Sequence, residues 1–310
     1  MKRRPVADSA RRGTARLRKT ENVPPIDILW LKKSQKIAIE VIRRKLQLLA
    51  SVSPRKAAER AFTLFCTPKR KPVKGISTIE DKGTACSLKA DGYTIFGYRW
   101  NHPAQRRVLI AHGFESSLKN FEGFVTPLAN KGYEVVAFDA PAHGQSEGKE
   151  IVLPLYIKTL AAIYANYGPF DAYIGHSLGG LAIAHFLETI PHDRSVKVVF
   201  IAPATEITTI MDRFFRILHL NGKVRKAFDE LSTEKTGISP EDASIRRAMH
   251  NIHATVLWFH DIADDITPYG DVERVRSDNF SNIQFVVTHG LGHRKIYRDQ
   301  QTVKQVIDFL

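Results

Sequence analysis

Cysteine is nearly absent: the 310-residue chain has two, Cys66 and Cys86, and neither sits in a C-x-x-C pair. That excludes a disulfide scaffold and a cysteine-built metal site, and it fits a reducing cytoplasmic setting. No run approaches 18 uninterrupted apolar residues, so no membrane-crossing helix is expected. The first residues lack the apolar stretch of a secretory signal. Internal repeats are missing, and no grouping of His, Asp and Glu has metal-ligand spacing strong enough to indicate a metal site. Hydrophobic residues make up 43% and charged residues 25%, ordinary values for a globular chain.

Acidic residues are scarce only at one end. Residues 1–74 hold 21 Lys/Arg against 5 Asp/Glu, a balance of +16, while residues 75–310 hold 25 against 27, a balance of −2. The overall +14 therefore belongs to the N-terminal quarter. A uniformly basic nucleic-acid-binding domain is not indicated.

Three regions follow from composition. Residues 1–25 are Arg-rich and poor in large apolar residues, the signature of a disordered tail, and transit peptides share that character. Residues 26–74 form a basic helical extension. Ile28, Leu31, Ile39, Ile42, Leu46 and Leu49 recur at three- and four-residue spacing with charges between them, which predicts an amphipathic helix over 26–50. The expected role is packing on the main domain with a basic face in water; contact with an anionic membrane or a partner is the alternative. A second short helix is predicted from Pro54 to Phe65. Residues 75–310 form the main domain.

That domain opens with an alternating stretch around Asp91-Gly92, which predicts a hairpin. Apolar strand-like runs follow at 107–113, 133–141, 171–177, 196–204, 254–260 and 282–290, separated by helix-length segments. Continuous apolar strands alternating with helices predict an α/β class fold, a mostly parallel sheet covered on both faces.

One junction resists a stability explanation. Residues 173–182 read YIGHSLGGLA, with Ser177 between Gly175 and Gly179, after a strand pattern and before a helix pattern. A nucleophilic Ser needs a sharp turn that exposes its oxygen, and glycines let the backbones come close. The same turn aims the Leu178 amide at a carbonyl under attack. A Ser hydroxyl also needs a base and an orienting carboxylate. Later strand ends offer Asp261, Asp264 and Asp265 in HDIADDITP, and His289 and His293 in HGLGHRKI. The order Ser, Asp, His is that of one known arrangement.

With these motifs in view, residues 80–310 resemble the α/β-hydrolase superfamily, specifically its compact bacterial serine esterase/lipase-like members. GHSLGG at 175–180 matches the nucleophile elbow. AHGFES at 111–116 resembles the His-Gly turn, here His112 and Gly113, whose next amide, Phe114, completes the oxyanion hole. FDAPAHGQSEG at 138–148 resembles an Asp-x-Pro-Gly-His-Gly run with Ala142 in place of Gly. The resemblance aligns the acid with Asp264 rather than Asp265, Asp261 or Glu206, and the base with His293. It implies a Ser177–His293–Asp264 triad that hydrolyses an ester-type bond of a small or medium acyl substrate without a cofactor. Thioesterase, amidase or carbon–carbon hydrolase chemistry, or a non-catalytic binding protein, are the alternatives on the same fold. His112, His143 and His176 are read as turn-fixing or packing residues. The long segment 205–250 is expected to form a helical cap, with Phe214, Phe215 and Leu218 as pocket candidates.

Overall fold

The computed structural model describes residues 33–69 and 82–310. The expected basic tail, the first residues of the expected N-terminal helix and the segment 70–81 lie outside the described residues.

The predicted hairpin is β1 (Thr84–Ala90) and β2 (Tyr93–Trp100). Asp91 and Gly92 both take positive φ, 49° and 86°, which closes a two-residue turn with the twist the strands need. The apolar runs become β3 (Arg106–Ala111), β4 (Tyr133–Phe138), β5 (Ala172–His176), β6 (Lys197–Ile201), β7 (Thr255–Asp261) and β8 (Ile283–Thr288). They form one eight-stranded sheet in the order β1-β2-β4-β3-β5-β6-β7-β8. All pairs are parallel except β1 with β2 and β2 with β4.

Alternation along each central strand feeds two cores. Leu109, Val136, Tyr173, Phe200 and Trp258 face α4 (Leu153–Tyr167), α5 (Leu178–Leu187), the short α8 (Ile245–Ala248) and α9 (Tyr269–Ser277). Val108, Val135, Ile174, Val199 and Phe259 face α3 (Glu122–Asn130) and α11 (Gln300–Phe309). Burial on both sides explains why these strands read as unbroken apolar runs.

A third layer is entirely helical. α1 (Lys33–Val52) and α2 (Pro54–Cys66) pack on α6 (Ile207–Leu218) and α7 (Gly222–Thr236) from the long segment after β6. Leu46, Ala58, Ala61 and Phe62 share one core with Met211, Phe215, Phe228 and Leu231. α1 ends two residues later than the predicted 50, where Ser53 caps α2 by accepting from the Lys56 amide and Pro54 takes the first helical position. Its registry on α6 is set by Arg43, which donates to the Ile217 carbonyl at 2.8 Å.

Candidate active site

Ser177 joins β5 to α5 at φ 53° and ψ −124°, a conformation that costs an L residue of order 1–3 kcal/mol. The glycines around it are forced by close approach. A Cβ on Gly175 would lie 2.6 Å from the Gly180 Cα, and one on Gly179 would collide with the Ala111 carbonyl at the end of β3. Gly113 faces the Ser177 Cβ, where its own Cβ would lie 2.6 Å away. The partners in these collisions are thus Gly180 in the helix and the end of β3. Gly180, whose Cβ would meet Pro203 at 2.7 Å, is a further required glycine.

Two amides flank the hydroxyl. Leu178 begins α5, and Phe114 follows Gly113 in the turn after β3. Among the described residues neither N–H donates to a protein acceptor. The Phe114 turn is held from both sides. Glu115 donates its amide to His143 Nε2 at 3.0 Å, and the Ala140 amide donates to His112 Nε2 at 2.9 Å. Each ring donates its Nδ1 proton to a carbonyl, His112 to Gly113 and His143 to Pro141. Burial holds both imidazoles down to a pKa of about 4, so they are neutral hydrogen-bonding struts. Tyr156, unremarked in the sequence, donates to the His112 carbonyl at 2.9 Å. Ala142, the departure from the Gly pattern, still carries a left-handed φ of 66°.

Among the candidate acids, Asp264 is the one that meets a histidine candidate. His293, in the short helix α10 (Gly292–Lys295), places Nδ1 2.8 Å from Asp264 Oδ2. Asp264 also accepts from the Ile266 and Thr267 amides and from Thr267 Oγ1 at 2.9 Å. Burial pushes its carboxyl up, but the His293 hydrogen bond and charge, with the Thr267 amide, outweigh that and hold it below the ordinary value. Asp265 points outward to Arg213. Asp261 shapes the loop, accepting from Ala263, Thr288 and Leu291. Glu206 accepts from Ser244 Oγ at 2.9 Å. His289 is exposed, whereas His176 is buried and meets the His293 carbonyl through Nε2 at 3.0 Å.

Thr267 was missed by sequence reasoning. Its hydroxyl lies 3.1 Å from His293 Nδ1 and donates to the same carboxylate oxygen the imidazole faces. Its position three residues after Asp264, within D-D-I-T-P, was the available signal.

No hydrogen bond joins Ser177 Oγ to His293 among the described residues. Such bonds are often long before substrate binds.

Ser177, Phe114 and Leu178 all open onto a cavity of about 320 Å³. Its walls are almost wholly apolar: Ile207, Ile210 and Met211 from α6, and Phe62 and Phe65 from α2. Arg213 is the one charged residue lining it among the described residues. Phe214 lines the cavity as expected, but Phe215 and Leu218 do not. They turn into the helical core, where Phe215 packs edge-on against Phe228 with ring centroids 5.1 Å apart. The contribution of α2 to the wall had no sequence signal, because helix pairing across 150 residues leaves no local pattern. No group of three or more His, Cys, Asp or Glu able to hold a metal occurs among the described residues.

Comparison with known proteins agrees with this architecture. The family model for serine aminopeptidase S33 matches residues 102–249. A non-heme haloperoxidase of Rhodococcus erythropolis is 30% identical over 115 residues, covering 36% of this chain and 41% of that protein. A bifunctional esterase/perhydrolase of Acinetobacter calcoaceticus is 25% identical over 149 residues, covering 46% and 51%. The chain thus spans about half the length, or less, of the curated relatives it matches. Among solved structures, the Pyrococcus furiosus esterase Pf2001 superimposes with a TM-score of 0.61 at 19% identity, covering 79% of this chain and 95% of that one. Est1E of Butyrivibrio proteoclasticus, solved with ferulic acid, gives 0.54 at 20% identity, covering 72% and 95%. Sheet order, elbow geometry and these likenesses together show that the chain has the α/β-hydrolase fold.

Proposed function

We propose that the protein is a serine hydrolase that cleaves an ester-type bond of a small or medium acyl substrate through Ser177, His293 and Asp264. The observation that carries the reading is the buried 2.8 Å contact between His293 Nδ1 and Asp264 Oδ2 beside a Ser on a strained turn that faces an apolar cavity. With Nδ1–H given to Asp264, the tautomer leaves Nε2 free to take the Ser177 proton as the hydroxyl attacks. Asp264 stays ionised and stabilises the imidazolium. The amides of Phe114 and Leu178 donate to the oxyanion, and losing one such donor typically costs on the order of 10²–10³ in rate. His293 then returns its proton to the leaving alkoxide, and water cleaves the acyl-enzyme by the same base. The cavity supports an apolar acyl group, since its lining offers few polar partners.

Non-catalytic binding on the same fold is the second reading, and the open Ser177–His293 hydrogen bond is the observation on its side. The two separate by covalent chemistry. A fluorophosphonate probe should label wild type and not Ser177→Ala, and p-nitrophenyl esters of short or medium acyl length should turn over. Absence of both labelling and turnover would leave the binding reading. Cytoplasmic location is also part of this proposal; among the described residues no helix is long and apolar enough to cross a membrane.

A further inference from the structure

The fold uses only one of two apolar stripes on α1. Leu46, with Ile42 and Leu49, faces the helical core. Ile37, Val41, Leu48 and Val52 point away from it and are 57, 46, 70 and 82% exposed. At 3.6 residues per turn these four fall within an arc of about 60° along the helix. Elsewhere only Tyr93 and Ile262 are exposed large apolar residues among those described, so the patch is concentrated on this one element. The face expected to be basic is thus an apolar strip with basic edges. Lys33 and Arg44 flank it on one side and Lys45 on the other, all exposed. The helix's one acid, Glu40, is tied to Arg43 and Arg44.

We propose that α1 docks side-on to an anionic lipid surface, with Ile37, Val41, Leu48 and Val52 inserted at the headgroup boundary and Lys33, Arg44 and Lys45 against lipid phosphates. An apolar centre with cationic margins is the pattern of interfacial helices. The charge of the chain favours this occupant over others. The +16 balance of residues 1–74 complements an anionic surface. A second copy pairing through the same face would set Lys33, Arg44 and Lys45 against their own like charges. Nucleic-acid phosphates gain nothing from exposed Leu and Val. Docking here also seats the cap at the interface, because Arg43 and Gln47 of α1 hold the Ile217 and His219 carbonyls at the end of α6, a wall of the cavity. The inference does not depend on the chemistry at Ser177.

The test uses the full chain sedimented with phosphatidylcholine vesicles, with and without phosphatidylglycerol. Binding is expected only with phosphatidylglycerol and should weaken as salt rises. A Leu48→Ser, Val52→Ser double variant keeps every charge, so it isolates the stripe from general electrostatic attraction. It should bind about tenfold more weakly or worse, the loss expected when two apolar side chains no longer bury. A melting temperature matching wild type shows the variant is folded. Equal sedimentation of variant and wild type overturns the proposal, as does a lack of binding to either vesicle. A dimer seen by light scattering that the double variant dissolves would overturn it in favour of a second copy.

Discussion

At the scale of single residues, the site is a set of hydrogen bonds that fix protonation states. His112 and His143 are neutral struts, with pKa values near 4 against an ordinary 6.5. The unfolded chain therefore binds protons that the folded chain refuses, and stability falls as pH drops from about 6.5 to about 4. Each ring contributes at most roughly 3 kcal/mol over that window. Buried His176 and His260 act in the same direction. Asp264, held below its ordinary 3.8, contributes stability that is lost only at more acid pH. The expected outcome is a melting temperature that declines steadily across this window, with a shallower slope in His143→Gln. A flat profile would show that these rings titrate normally. Thr267 is testable at the same scale. Thr267→Val keeps the shape but removes the hydroxyl that donates to Asp264. It should lower kcat more than it changes KM, whereas a merely structural role would reduce stability and leave kcat intact. Loss of the Asp264 carboxylate in Asp264→Asn should cost far more, on the order of 10⁴ in kcat if the tautomer inverts.

At the scale of elements, legibility tracked locality. The hairpin at Asp91-Gly92, the strand runs and the turn at Ser177 are written in adjacent residues, and each lies within a residue or a few of its predicted place. Asp264 could be separated from Asp265 only by alignment with a motif, since neighbouring carboxylates look alike until a backbone aims them. Phe214 and Phe215 show the limit more sharply. Both were pocket candidates, and only the helix phase of α6 decides that one faces the cavity and the other the core. The elbow glycines make the elemental prediction. Gly179→Ala puts a methyl into the Ala111 carbonyl, a backbone atom that cannot step aside. The expected loss is about 1–3 kcal/mol from overpacking, read by urea denaturation. Gly222→Ala, where a Cβ meets nothing within 4 Å, serves as the control and should be neutral or better.

At the scale of the whole molecule, the sequence divides where the structure does not. Charge and composition separate residues 1–74 from the rest, yet α2 and the helices α6 and α7 bury one another's side chains. Phe65 packs edge-on against Phe214 and Phe228, with centroids 5.2 and 5.7 Å away, and its other side lines the cavity. A residue of the basic extension therefore bounds the cavity onto which Ser177 opens. Phe65→Ala should extend that space without breaking the inner core, because Phe62, Ala58 and Ala61 continue to seal α2 against α7. The consequence for activity is a shift in chain-length preference. Rates on longer p-nitrophenyl esters should rise several-fold relative to short ones, since each further buried methylene adds about 0.8 kcal/mol of transfer energy. The shift should appear in kcat/KM ratios rather than in rates on the shortest ester, whose acyl group need not reach α2. If the variant lowered all rates by one common factor, α2 would be a structural brace and the acyl pocket would belong to α6 and α7 alone.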